Sequence, residues 1–238
     1  MTLSVVIAAL DERENVDILT RRLASVLDGL EGERSEIVWV VEGTDGTREL
    51  LEERSRTDPR LRVLYQPEPQ GLGAAFRRGF AAVSPDADVV VTMDADLNHQ
   101  PEELPRLLAA FRSRRCDILV GSRFAPGGTL DRMPAWKAVL SRSLNPVMQR
   151  LFAMSVRDLT SGYRLYRRDA LLALSFSCNN FAFLPELLFE AARLGLRIEE
   201  EPIRFTYRVH GRSKMGLWRT SRSYLGLFLR RARRLATR

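Results

Sequence analysis

Between residues 3 and 121 the chain repeats one pattern, a short apolar run followed by an amphipathic stretch of helix length. The runs are LSVVIAA (3–9), EIVWVV (36–41), LRVLY (61–65), DVVVTM (88–93) and DILVG (117–121). They are β-branched and nearly continuous rather than alternating, as strands covered on both faces of a parallel sheet are. Helix-length segments fall near 13–29, 46–57, 71–83 and 101–115, with Pro101 at a helix-start position. Repeated β-α alternation predicts an α/β protein with an open, mostly parallel sheet flanked by helices. Beyond residue 121 the pattern loosens. Residues 126–135 (PGGTLDRMPA) read as a loop or lid, 136–153 as a helix, 158–162 as a turn and 163–167 as a strand. A helix near 182–195, a strand at 197–205 and a last helix over 216–236 complete the expectation.

Composition matters here chiefly for what it excludes. At 238 residues, 45% hydrophobic and 28% charged, the chain is neither disordered nor a small disulfide scaffold. No apolar run approaches the roughly 18 residues of a spanning helix, and the early Asp11 and Glu12 argue against a signal peptide. Cys116 and Cys178 lie far apart and fit buried thiols in a reducing compartment. The net charge of +7 is unevenly placed. Positions 202–238 hold eleven basic residues and no acid, leaving 26 basic against 30 acidic residues in the first 201.

The sharpest chemical signal is Met93-Asp94-Ala95-Asp96, at the end of a buried run. In extended chain Asp94 and Asp96 share a side, and ligands of open α/β sheets bind beyond the carboxyl ends of strands. Two carboxylates there suit Mg²⁺ or Mn²⁺ bridging a diphosphate. The pair equally fits a solvated strand end in which one Asp caps the next helix. Gln70-Gly71-Leu72-Gly73 opens a helix and fits either amides approaching a phosphate or a tight turn. In Thr44-Asp45-Gly46-Thr47 the Thr or Asp reads as a helix cap. Arg123 follows a strand, Lys137 and Arg142 fall on the next helix, and Arg208, Arg212 and Lys214 sit in YRVHGRSK. Solvated surface and phosphate clamp are both open readings for these cations. His99 and His210 lack metal-ligand spacing, and no Ser-His-Asp or Cys-His arrangement is legible.

SVVIAALDERENV resembles the SVVIPTYNERENI opening of family-2 glycosyltransferases, and MDADLNHQPEEL resembles their MDADLQHPPE. GSRF (121–124), VRDLTSGYRLYRRDAL (156–171) and EEPIRFTYRVHGRSKM (200–215) are similar to the dolichyl- or polyprenyl-phosphate mannosyltransferase branch. The resemblance runs through residues 3–215. It implies a GT-A fold over 1–215 and metal-dependent, inverting hexose transfer, most simply mannose from GDP-mannose, to a polyprenyl phosphate. Transfer from a UDP-sugar and a non-catalytic binding relative are the alternatives. It places action at the cytoplasmic face of the membrane. It also leaves room for a separate membrane subunit.

Carried over by position, Ala8, Leu10, Glu12, Glu42, Gly71 and Ala95 would form the nucleoside side, and Asp94 and Asp96 would hold the metal. Asn98 would orient the sugar, and Arg123 would work at the diphosphate. Lys137, Ser141, Arg142, Glu186, Arg208 and Lys214 would serve the acceptor phosphate or its supports. A phosphate monoester is already anionic at neutral pH, so the missing triad is no obstacle. The departures are local. PTYNE reads Ala8-Ala9-Leu10-Asp11-Glu12, and VVDDGSPDGT reads Val40-Val41-Glu42-Gly43-Thr44-Asp45-Gly46-Thr47. Both fall on the nucleoside side and leave the nucleotide preference open.

On a helical wheel, Leu217, Trp218, Tyr224, Leu225, Phe228, Leu229, Ala232, Leu235 and Ala236 fall within roughly 140°, with arginines opposite. This predicts that 216–238 is a basic amphipathic helix lying in a membrane interface. Packing on the domain or on a partner subunit is the alternative. Nucleic acid is not the expected partner. The body is net acidic, and the tail aromatics share one face rather than interleaving with arginines.

Overall fold

Strand β1 (Thr2–Leu10) sits at the middle of the fold, and its side chains are divided between two cores. Leu3, Val5 and Ile7 enter one cluster with Val16, Leu19 and Leu23 of α1 (Arg13–Asp28). Val6 enters the other, with Phe76 and Phe80 of α3 (Leu72–Ala81). Each such apolar side chain removed from water contributes about 1.5–3 kcal/mol, so a strand apolar on both faces is held by a layer on each side. The computed structural model describes residues 1–207, Tyr224 and Gly226, apart from the side chains of Lys137 and Leu140. The expectations for Arg208, Arg212, Lys214 and most of the 216–238 helix lie outside the described residues. Tyr224 itself packs against Phe152 and Ala182.

The remaining elements follow the predicted alternation closely. They are β2 (Arg34–Glu42), α2 (Thr47–Ser55), β3 (Leu61–Gln66), β4 (Val89–Asp94), α4 (Leu104–Arg114) and β5 (Ile118–Ser122). After β5 come β6 (Thr129–Asp131), α5 (Ala135–Phe152), β7 (Arg164–Arg167), α6 (Arg168–Leu172), α7 (Phe183–Arg193), β8 (Ile198–Pro202) and β9 (Arg204–Thr206). A seven-stranded sheet has the order β3-β2-β1-β4-β7-β5-β8. Its strands are parallel except β7, which is antiparallel to β4 and β5. Helix α3 lies close on β1 and β2, since a Cβ at Gly79 would stand 2.4 Å from Val6 Cγ1.

Two expectations need correction. The 197–205 strand is two strands, because Ile203 still donates to the Ser122 carbonyl of β5 (3.0 Å) while its own carbonyl accepts the Thr129 amide (3.0 Å), which hands the chain to a second sheet. The supposed loop 126–135 contains β6, which pairs in parallel with β9 as a separate two-stranded sheet. Cys116 is buried as expected, and burial pushes its thiol up to about 11; Cys178 is only partly buried.

Candidate active site

The chain leaves β1 toward β2 on one side and β4 toward β5 on the other, so the sheet has its switch point between β1 and β4. A crevice opens at such a point beyond the carboxyl ends of the strands. Here it is a cavity of about 470 Å³. Ala8, Leu10 and Glu12 line it from the end of β1, Glu42 from the end of β2, and Asp94, Ala95 and Asp96 from the end of β4. Register explains the convergence: Ala8 stands opposite Asp94, and Leu10 opposite Glu42. Gly71 lines the same cavity, so the whole predicted donor set comes together.

The glycines of Gln70-Gly71-Leu72-Gly73 have a definite task. Residues 173–182 fold over the start of α3, and a Cβ at Gly73 would stand 2.1 Å from the Cys178 carbonyl oxygen. At Gly71, whose φ is +95°, it would stand 2.5 Å from the Asn179 carbonyl oxygen. The Gly73 amide donates to that Asn179 carbonyl (2.8 Å), and the Gln70 amide to the Glu42 carboxylate (3.2 Å). These amides are taken up by a close backbone approach, as the tight-turn reading expects. Burial raises the Glu42 pKa despite hydrogen bonds from the Gln70 and Gly71 amides. Asn179, Asn180 and Phe181, which sequence reasoning missed, reach the cavity from the same 173–182 segment. Their only trace in the sequence is the pair of glycines that lets the segment come near. Glu186 organises that segment, accepting from the Ser177 amide and hydroxyl (3.0 and 2.9 Å) and the Cys178 amide (2.8 Å). It therefore braces a segment that lines this cavity, a supporting part such as the resemblance implied for it. The N-cap of α2 is Gly46 and not Thr44 or Asp45 as expected; Asp45, one residue earlier, accepts the Thr47 amide and hydroxyl (3.0 and 2.6 Å).

The two aspartates are held from several sides. Asn98 donates to Asp96 through its side-chain amide (2.8 Å) and its backbone (3.2 Å), so in this structure it orients the carboxylate rather than facing the cavity. The Asn98 Oδ1 is buried and, among the described residues, has no hydrogen-bond partner. Gly162 lies against Asp94, where a Cβ would come within 2.5 Å of Oδ1. Among the described residues no three His, Cys, Asp or Glu side chains form a metal-holding group. Two hard carboxylates in an open cavity, with space kept by a glycine, fit a divalent cation that takes its other oxygens from a bound diphosphate.

His99 is 1% exposed and lies against the rings of Tyr163 and Phe205. Its Nδ1 accepts the Asp94 amide (3.2 Å), and burial pushes its pKa down to about 4. The Asp94 carboxylate lies 3.6 Å from the same nitrogen, but an imidazole accepting there is neutral and forms no ion pair. A lowered base stabilises the fold fully above its unfolded pKa near 6.5 and loses that contribution as pH falls toward 4. From pH 7 to pH 5 this group should remove about 2 kcal/mol of stability. Urea unfolding at both values, with His99→Gln as the comparison, checks it; an unchanged pH difference in the variant would refute it.

A second cavity, of about 390 Å³, is lined by Arg123, Arg142 and Arg157 with Asn145 and Gln149. It unites the predicted Arg123 and Arg142 and adds Arg157, Asn145 and Gln149, which were not foreseen. Arg123 is largely committed within the protein. Its Nε and Nη2 donate to the two Asp158 carboxylate oxygens (both 2.7 Å), its amide donates to Oδ2 (3.0 Å), and Nη2 also meets Thr160 Oγ1 (2.7 Å). Burial opposes ionisation of Asp158, yet the Arg123 charge outweighs it and holds the carboxyl below its usual range. Lys137 and Ser141 both fall on α5, and the Ser141 carbonyl accepts from Asn145 (3.0 Å).

Residues 4–174 match the sequence profile of glycosyl transferase family 2. The chain belongs to that family. This family-2 glycosyltransferase is 34% identical over 220 residues to the undecaprenyl-phosphate mannosyltransferase of Micrococcus luteus, covering 90% of this chain and 88% of that one. With the polyprenol monophosphomannose synthase of Mycolicibacterium smegmatis it shares 36% identity over 217 residues, covering 89% and 80%. With the dolichol-phosphate mannosyltransferase of Pyrococcus furiosus it shares 33%, covering 90% of this chain but 59% of that longer protein. The glucosyl-3-phosphoglycerate synthase of Mycobacterium tuberculosis, solved with Mn²⁺, UDP and phosphoglyceric acid, superposes with a TM-score of 0.73 at 24% identity. That alignment covers 97% of this glycosyltransferase and 78% of the synthase, and places the chain in the GT-A fold.

Proposed function

We propose that this glycosyltransferase moves mannose, with GDP-mannose as donor, onto the phosphate of a polyprenyl or dolichyl lipid, with inversion. The observation that carries this reading is the pairing of an acidic donor cavity, with Asp94 and Asp96 at its edge, and a cationic cavity lined by three arginines. Names borne by relatives over most of the chain point the same way. Mg²⁺ or Mn²⁺ held by Asp94 and Asp96 would neutralise the leaving diphosphate. The chain itself binds, orients and excludes. Glu12 and the β1 end face the nucleoside, Asn98 fixes Asp96, and the cationic cavity receives the acceptor phosphate. No general base is needed, since that phosphate carries its own negative charge.

The acceptor is a lipid, so the reading places the enzyme at the membrane surface, on the cytoplasmic face. No helix among the described residues is long and apolar enough to cross a membrane. Trp136, Val139, Val147 and Leu151 are each at least half exposed and fall within about 120° of one another around α5. Helix α5 also carries Lys137, Arg142 and Arg150 and no acidic residue. An apolar strip on a helix that carries cations and no acid fits peripheral contact with an anionic bilayer, beside the contact assigned to 216–238. A separate membrane subunit is compatible with this arrangement.

Radiolabelled transfer to polyprenyl phosphate with Mn²⁺, using GDP-mannose, UDP-glucose and a UDP-N-acetylhexosamine in parallel, tests the reading. Lipid-linked label from GDP-mannose alone is expected. Tight donor binding without turnover would mark a binding protein, and label from a UDP-sugar would overturn the donor.

A further inference from the structure

One buried side chain links the two cavities. Asn145 lies within α5, is 1% exposed, and accepts the Leu159 amide at its Oδ1 (2.8 Å). Its Nδ2 donates to the Ser141 carbonyl (3.0 Å), so both ends of the amide are used. One turn on, Gln149 donates to the Val156 carbonyl (2.7 Å), a second tie between α5 and the same segment. The helix needs such ties here. Pro146 has no N–H to give to the carbonyl four residues earlier, that of Arg142, so the ladder of α5 is interrupted beside the arginine.

The segment that Asn145 holds is rigid for reasons of its own. Asp158, before Leu159, takes the Arg123 guanidinium. The fully buried Arg164 donates to the carbonyls of Leu159, Ser161 and Leu184 (2.7–2.8 Å). The Gly162 carbonyl accepts from Thr92 Oγ1 on β4 (2.7 Å), and Gly162 itself lies against Asp94. Hydrogen bonds therefore tie Asn145 through residues 159–162 to β4, and Gly162 completes the path by packing against Asp94. With an alkyl side chain at 145, the buried Leu159 amide would lose its acceptor, and α5 would lose its reference to the donor site.

We propose that Asn145 is a positioning residue for the acceptor half of the reaction. Through Leu159 it sets α5, and Arg142 with it, at the separation from Asp94 and Asp96 at which the two substrates meet. This rests on the mannosyl-transfer reading above. Asn145→Ala should raise the KM for polyprenyl phosphate about tenfold, the scale of one lost hydrogen bond, while the Kd for GDP changes less than twofold. Asn145→Asp keeps an oxygen for the Leu159 amide, so exchange over 141–159 should return toward wild type, while its negative charge in the cavity that receives the phosphate keeps the acceptor KM raised. Hydrogen exchange supplies a readout free of turnover: residues 141–159 should exchange faster in Asn145→Ala, and residues 89–98 should not. An unchanged acceptor KM, unchanged exchange over 141–159, or a GDP Kd that weakens in step with the acceptor KM overturns the proposal. If the wild type transfers nothing to polyprenyl phosphate, the functional reading fails, and the exchange result still decides the tether.

Discussion

Asp96→Ala is expected to abolish sugar transfer, with a loss on the order of 10³-fold or more, because on the proposed reading it removes one of the two carboxylates, Asp94 and Asp96, that would hold the metal beside the leaving diphosphate. The side chain is 7% exposed and receives both Asn98 donors, so truncation would also leave Asn98 without its acceptor. Asp96→Asn separates the two effects. It keeps the shape and one oxygen but removes the negative charge on which a hard cation depends. If the metal role is right, both variants lose transfer, and Mn²⁺ binding measured by calorimetry with GDP present falls in both. Thermal unfolding of Asp96→Asn should stay near wild type. Transfer by Asp96→Ala at the wild-type rate would reject the assignment outright.

Asp158→Ala should cost the fold about 3–5 kcal/mol, the typical penalty for removing one partner of a buried pair. Asp158 is fully buried and Arg123 nearly so, and the lost carboxylate accepts two guanidinium bonds and the Arg123 amide. Among the described residues, what remains against the cation is the Thr160 hydroxyl and the rings of Phe124 and Phe205. The pH dependence follows from the lowered pKa of Asp158. A depressed carboxyl contributes its stability above the unfolded pKa of about 4 and loses it as pH falls through the folded value. Urea unfolding at pH 7 measures the first effect. A loss below about 1 kcal/mol would show that the pair contributes little. The chain would then be held at this point by the Arg164 carbonyl cage instead.

These two aspartates differ in how they can be read. Asp96 announces itself by spacing: a DxD directly after a β-branched apolar run has few places to go except the mouth of a parallel sheet. Asp158 does not. In VRDLTSGYRLYRRDAL it stands among several charges, and nothing local distinguishes a carboxylate with no exposed surface from one in solvent. The same limit affected Arg123. Its place after a strand suggested a phosphate clamp, whereas the fold gives most of its hydrogen-bonding capacity to Asp158, a partner 35 residues away. The Gln70–Gly73 glycines were visible as glycines, but what they make room for is a backbone segment more than a hundred residues downstream.

The primary structure alone settled the α/β class, the first five strands and four long helices, the residues that meet in one cavity at the strand ends, and the family. Apolar periodicity and turn chemistry act over a few residues, and a strand end in a parallel sheet has one geometric meaning wherever it occurs. Tertiary structure alone decided that β7 runs against its neighbours, that 197–205 breaks at Pro202 into two sheets, and that Arg123 belongs to Asp158. It alone brought Asn145 to Leu159. Each of these depends on which distant groups lose their water together. A buried polar atom takes whichever partner the packing brings within reach, and local sequence carries no record of that choice.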